Sequence, residues 1–360
     1  MSATDFPLND ALAVQRWSTN LAVEAEKKQY FNKFMGTGDD SMIKVQKELN
    51  KAAGDKVTVG LRMKLAGDGI EGDNQIEGTS AEEGIDFFND ALFIDQRRKG
   101  TKSIGKMSEQ RVPYNLRKIG HDALATWFAE DFDEQMFMYL SGARGVDPGF
   151  HVNTSWTGRA NNSLQAPDSS HLVYGGDATA KNDVAAGDKM ALTVVERLVA
   201  KAETQDPMML PFAVNGEKKF ILLMHTWQAY DMRSSTSEND WLAIQKAVGV
   251  RGDKNRVYQN SLGEYADVIL HKHRNVIRFS DYGSGANVDA ARALFLGAQA
   301  GIIAFGQGGG ANRYSWNEET DDRGNALVIT AGTIFAAKKS RYNSMDFGVV
   351  AVDTGCTDPN

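Results

Sequence analysis

Histidines and paired acids are the residues to weigh first for chemistry. His271 and His273 stand two apart in a stretch, Val268 to His273, whose apolar residues predict a strand. Side chains two apart on a strand share a face, so the two rings have the geometry of a metal clip. A zinc-type site needs a third ligand, and no acidic or cysteine ligand stands at fixed spacing from them. A solvated strand end beside Lys272 and Arg274 is the expected reading. The acid pairs Glu82-Glu83, Glu318-Glu319 and Asp321-Asp322 could pass protons, but each lies among turn residues and reads as a solvated loop. Gly306-Gln-Gly-Gly-Gly-Ala-Asn-Arg has the glycine content of a phosphate cradle. It lacks the lysine and hydroxyl residue of GxxxxGK[ST], and its glycine spacing misses GxGxxG, so a plain loop is expected. No GxSxG, no HExxH and no cysteine with a partner histidine is present. Asp346-Phe-Gly and Arg251-Gly-Asp read as three-residue coincidences. No catalytic, cofactor or metal residue is assigned, and a non-enzymatic role is expected.

The elements that would have to position such residues are unusual. Val57, Val59, Leu61, Met63 and Leu65 alternate with polar or small residues, the period of a strand with one apolar face. Beyond a glycine- and acid-rich centre (Asp68, Glu71, Asp73, Glu77, Glu82, Glu83), a second extended stretch runs from Ala91 to Ile94. The basic run Arg97, Arg98, Lys99, Lys102 and Lys106 follows it. Together they predict a long two-stranded arm. An isolated ribbon is marginal in water, so the arm must lie on another surface, on this subunit or on a neighbour. Opposite charge at its two ends suits head-to-tail contact between neighbours around a ring, or serves equally as a solubilising surface.

A long amphipathic helix is predicted next, from Pro113 to Ser141, about 40 Å at 1.5 Å per residue. Leu116, Ile119, Leu124, Trp127, Phe128, Phe132, Met136 and Leu140 form its apolar stripe, and Gly142 and Gly145 end it. Before the arm, Asn9 to Phe34 is moderately periodic and Ser41 to Ala52 is expected as a short helix. After the rod, residues 143–187 read as an irregular surface excursion, and Asp188 as the cap of a helix running to Thr204. Strands are expected at Phe220–Met224, Val268–Leu270, Val276–Phe279 and Leu327–Phe335, with a helix through Trp227 and Tyr230. Helices and strands without a regular βαβ repeat point to an α+β class.

Bulk properties bound the function. The chain has 360 residues, 42% apolar and 24% charged, enough for two folded lobes with extensions. A net charge of −7 argues against tight general binding to nucleic acid. Cys356 is the only cysteine, so an intrachain disulfide is excluded, which fits a reducing cytosol. Met1 to Leu8 lacks a basic lead and a long apolar run, and the apolar run Phe220–Met224 is too short to span a bilayer, so neither an export signal nor a membrane segment is expected.

Several stretches in their shared order resemble one family. They are Trp17 to Gly36 (WSTNLAVEAEKKQYFNKFMG), Gly54-Asp-Lys-Val-Thr-Val, Leu65-Ala-Gly-Asp-Gly-Ile-Glu-Gly-Asp, Ile94-Asp-Gln-Arg-Arg, Gln110-Arg-Val-Pro-Tyr-Asn-Leu-Arg, Leu140-Ser-Gly, FILLMHTWQAYDMR from Phe220 to Arg233, RALFLGAQAGIIAFG from Arg292 to Gly306, and Asp322-Arg-Gly-Asn. The sequence resembles the major capsid proteins of tailed bacteriophages, with the Hong Kong 97 fold, in the podophage-type branch. That resemblance implies an N-terminal arm (1–54), an extended loop (55–108), a peripheral domain (109–189 and 328–360) with its spine helix at 113–141, and an axial domain (190–327).

It also implies pentamers and hexamers of an icosahedral shell enclosing double-stranded DNA. Other copies of the chain, a scaffolding protein, a portal and a decoration protein are the implied partners, with no cofactor and no membrane. Assembly would take place in the host bacterial cytoplasm. Asp68, Glu71, Asp73, Glu77, Arg97, Arg98, Lys99, Lys102 and Trp17 are the candidate inter-subunit contacts. The rivals are an encapsulin-like cellular shell, and a soluble α+β enzyme with a site near the Gly306 loop.

Overall fold

The computed structural model describes residues 11–47, 54–63, 65, 67–79, 81–111, 115–214, 216–236, 241, 244, 261–306 and 313–359. Pro113, the Arg251-Gly-Asp triplet, the end of the helix expected at Ser41 to Ala52, and the Gly loop from Gln307 to Asn312 lie outside them.

The long helix runs Leu116–Ser141. Asn115 starts it by accepting the Lys118 N–H at 3.1 Å. Gly142, at φ 68°, ends it by donating to the carbonyls of Met138 and Tyr139. Its first half is amphipathic. Leu124, Ala125 and Phe128 pack against Leu21, Ala22 and Ala25 of the N-terminal helix Ala11–Lys28. Ile119, expected on the stripe, is exposed instead. From Asp131 to Ser141 every residue is buried, because this half lies between two sheets. Phe132, Met136, Phe137 and Leu140 share one core with Ile221, Leu223, Leu294 and Leu296 of one sheet and Ile303, Phe335 and Ala337 of the other.

The larger sheet has eight strands, in the order Ser261–Tyr265, Val268–Lys272, Glu217–Met224, Val288–Leu296, Val349–Gly355 and Leu172–Tyr174, with Arg278–Tyr282 and Phe212–Val214 paired at its margins. A helix, Leu192–Thr204, covers its other face with Val194, Val195, Leu198 and Ala202. Asp188 does not cap that helix; it accepts the Ala185 N–H at 2.7 Å, and Ala191 occupies the cap without a side-chain bond. A helix, Thr226–Ser235, follows the central strand as expected.

The six-stranded sheet joins Met35–Gly36, Ile43–Gln46, Gly301–Phe305, Ala326–Lys339, Tyr314–Asp321 and Asp95–Lys102. Here the expected helix at Ser41 gives way to a strand. Ile43 and Val45, β-branched and two apart, pair in parallel with Gly301 and Ile303. The strand expected at Val276 starts two residues later, at Arg278, after Val276 and Ile277 have been buried in the shared core. Residues 143–187 are largely irregular, yet their own subunit fastens them: Arg144 donates to the carbonyls of Val152 (2.8 Å) and Asp147 (2.9 Å).

Candidate assembly surfaces

The arm is real, and its two ends differ in kind. Lys56–Arg62 pairs antiparallel with Phe87–Phe93, from Lys56 opposite Phe93 to Arg62 opposite Phe87. At the base, Val57, Val59 and Leu92 are buried against Ile302, Ala304 and Ala336 of the six-stranded sheet. Lys338 adds an ion pair to Asp90. Past Arg62 the Met63 N–H donates to the Asp86 carbonyl at 3.0 Å, and among the described residues regular pairing goes no further.

The tip that follows, residues 67–79 and 81–86, is held by local turns, with Gly72 and Gly78 at φ 67° and 73°. It is largely exposed and carries Asp68, Glu71, Asp73, Glu77, Glu82 and Glu83. Large apolar side chains on it and at its root are exposed too: Leu65 57%, Ile76 55%, Ile85 51% and Phe87 67%. Fully burying such a side chain is worth about 1.5–3 kcal/mol, and this subunit leaves half or more of that undone for all four.

The basic run does not belong to the arm. Asp95–Lys102 is a strand of the six-stranded sheet, paired from Asp95 opposite Phe335 to Lys102 opposite Val328. Its charges are partly spent inside the subunit. Arg97 binds Asp131 of the long helix, which is buried, through Nε at 3.2 Å and Nη2 at 2.5 Å. Lys102 pairs with Asp321, and Lys99 lies 5.3 Å over the Trp127 ring. Arg98 and Lys99 are exposed. Ala326–Lys339 is the one neighbour this strand has among the described residues, and a basic edge discourages unwanted strand pairing.

Trp17, expected at an interface, packs within its own subunit. It stacks on Trp316 (5.8 Å, 16°), meets His121 edge-on (5.2 Å) and lies under Arg117 (4.9 Å).

The residues first weighed for chemistry resolve into structural pairs. His271 and His273 do share a face, since Tyr30 meets both rings at 6.3 and 4.6 Å. His271 is buried rather than at a solvated strand end, and Lys33 Nζ stands 3.5 Å from its Nδ1. Burial, with Arg274 and Lys33 nearby, pulls His273 down to about 4. Glu318 is buried in a strand, not solvated in a loop, and holds Arg117 and the Trp316 indole. Asp346 is buried against Lys339 at 2.6 Å. A charged cleft of about 520 Å³ opens among Lys27, Lys28, Lys33, Glu130, Lys272 and Arg274.

The most consequential polar group went unmarked in the sequence. Arg292 grips Asp353 in two prongs, Nε and Nη2 each at 2.7 Å, and its Nη1 reaches the Ser141 carbonyl at 3.0 Å. Tyr282 donates to the same carboxylate at 2.6 Å. This buried cluster ties the end of the long helix to the larger sheet. A charge inside the apolar run RALFLG was the available signal.

A solvent-facing arm tip and a long helix packed between two sheets suit a subunit that assembles. The comparisons agree. The family model described as "Phage capsid protein" matches residues 5–357. The major capsid protein of Pseudomonas phage KPP25 is 27% identical over 366 residues, covering 93% of each chain. The solved capsid of Ralstonia phage GP4 superposes at TM-score 0.88 with 41% identity over 100% of both chains. The capsid of cyanophage Pam1 shares the fold at TM-score 0.71, with 20% identity over 92% of this chain and 93% of that one. The fold is that of the Hong Kong 97-like capsids, and the chain belongs to the phage capsid protein family as a major capsid protein of a phage virion.

Proposed function

We propose that copies of this chain form pentamers and hexamers that close into an icosahedral head around double-stranded DNA. The arm tip of one subunit is then covered by the next. The observation that carries this is the tip itself, where Leu65, Ile76, Ile85 and Phe87 are left in water beside a base that is fully packed. Closed symmetry makes many such modest contacts reinforce one another. The acids Asp68, Glu71, Asp73 and Glu77 on the tip and the exposed Arg98 and Lys99 on the edge strand remain the charged contact candidates, now on separate elements.

In this reading the eight-stranded sheet forms the axial lobe, while the six-stranded sheet and the first half of the long helix form the peripheral lobe. The strands Gly301–Phe305, Tyr314–Asp321 and Val349–Gly355 cross the boundaries drawn from sequence, because each pairs in the other sheet. A scaffolding protein and a portal are further partners, with a decoration protein an optional addition, and assembly occurs in the bacterial cytoplasm. Net charge −7 supports enclosure of DNA without a tight basic grip. The podophage-type branch rests on the order of the quoted stretches. Electron micrographs of the purified chain, with and without its scaffolding protein, test the proposal: shells or capsomers are expected, and a discrete monomer under both conditions refutes it.

A further inference from the structure

We propose that Glu24, His121 and Asp122 form a site for a zinc-like divalent cation that clasps the N-terminal helix to the long helix. Glu24 comes from Ala11–Lys28 and the other two from Leu116–Ser141. One ligand atom from each falls within 4.8 Å of the others, the one such cluster of three among the described residues.

The separations are informative. His121 Nδ1 stands 3.5 Å from Glu24 Oε2 and 3.4 Å from Asp122 Oδ1. A charge-assisted hydrogen bond would close to about 2.7–2.9 Å. Two ligands at about 2.1 Å from one tetrahedral ion stand about 3.4 Å apart. The imidazole is therefore spaced from both carboxylates as co-ligands are.

The second observation concerns the other side of the ring. His121 is 3% exposed, and its Nε2 has no hydrogen-bond partner. A neutral ring donating from Nδ1 to the carboxylates would bury a bare lone pair at Nε2. A ring that gives its Nδ1 lone pair to a cation keeps its proton on Nε2, in aromatic surroundings where the Trp17 and Trp316 rings have centroids 5.2 and 5.4 Å from the imidazole. Glu24 and Asp122 are partly exposed, at 42% and 51%, which leaves an entry path and room for water as the remaining ligand. One nitrogen and two carboxylate oxygens suit zinc, cobalt or nickel better than calcium.

Calorimetric titration of the full chain with zinc alone tests this, alongside Glu24→Gln and Asp122→Asn, which keep side-chain size. One ion per chain is expected, with affinity falling at least about tenfold in each variant. Tryptophan emission should change on saturation, because two indoles flank the imidazole. Absence of saturable binding to wild type, or binding that both variants leave intact, overturns the proposal. The result is independent of whether shells form.

Discussion

The two ends of one hairpin obey different physics. At the base, Val57, Val59 and Leu92 find a sheet of their own subunit to cover them; some residues further on, Ile76, Ile85 and Phe87 stay more than half exposed. Composition does not explain the difference, since both ends carry large apolar side chains. A ribbon is stable over the length that its own fold supports, and under the proposed assembly the exposed remainder is the surface a second copy would cover. The buried half of the long helix is the extreme case of self-sufficiency, with even its acids, Asp131, Asp133 and Glu134, supplied with donors by the same chain.

Breaking the self-sufficient part should cost most. Arg292→Ala strands the buried carboxylate of Asp353 and should destabilise the subunit by about 3–5 kcal/mol, read as a lower denaturant midpoint or loss of soluble protein. Leu92→Ala, at the arm base, should cost about 2–4 kcal/mol in the same assay, because the cavity opens against a fixed sheet. A silent Leu92→Ala would mean that the base, too, depends on neighbours.

Acid probes the same core more gently. The unfolded chain takes up a proton on His273 between pH 6.5 and about 4 that the folded chain refuses, so this contribution is present above pH 6.5 and lost as pH falls toward 4. His273→Phe keeps a ring against Phe137, which lies 4.8 Å away, and removes the titration. Its stability relative to wild type should improve by roughly 1–2 kcal/mol between pH 7 and pH 5. Asp133, pushed up to about 7 by burial, acts oppositely, its contribution being lost as pH rises through 7. The difference between the two proteins therefore carries the test.

Smallest of all for the isolated subunit should be the tip. Ile76→Ser with Phe87→Ser should shift unfolding by no more than about 0.5 kcal/mol while lowering shell yield severely, as counted in micrographs. Full shell yield would show that the exposed apolar tip is idle.

What was legible in the sequence follows the same division. Period-two alternation at Val57 to Leu61 and period-3.6 recurrence from Leu124 to Leu140 are local signals, so the arm and the rod could be read directly. Strand pairing is non-local, and no local pattern encodes it. The run Arg97 to Lys102 looked like the end of the arm because charge suggests water, whereas its backbone pairs with residues more than two hundred positions away. Glu318 and Asp133 were unreadable for a related reason: their partners, Arg117 and the backbone of Tyr30 and Phe31, lie far off in the chain. Trp17 is a large aromatic whose ring partners, Trp316 and His121, lie about a hundred or more positions away in the same subunit, so its packing could not be read locally.

Hydrogen exchange of the backbone amides in residues 67–86, compared between dissociated subunits and assembled shells, tests the central claim most directly. The account predicts fast exchange in the free subunit and strong protection in the shell, with residues 56–62 and 88–93 slow in both. Protection of the tip in the free subunit, or unchanged fast exchange in the shell, would contradict it.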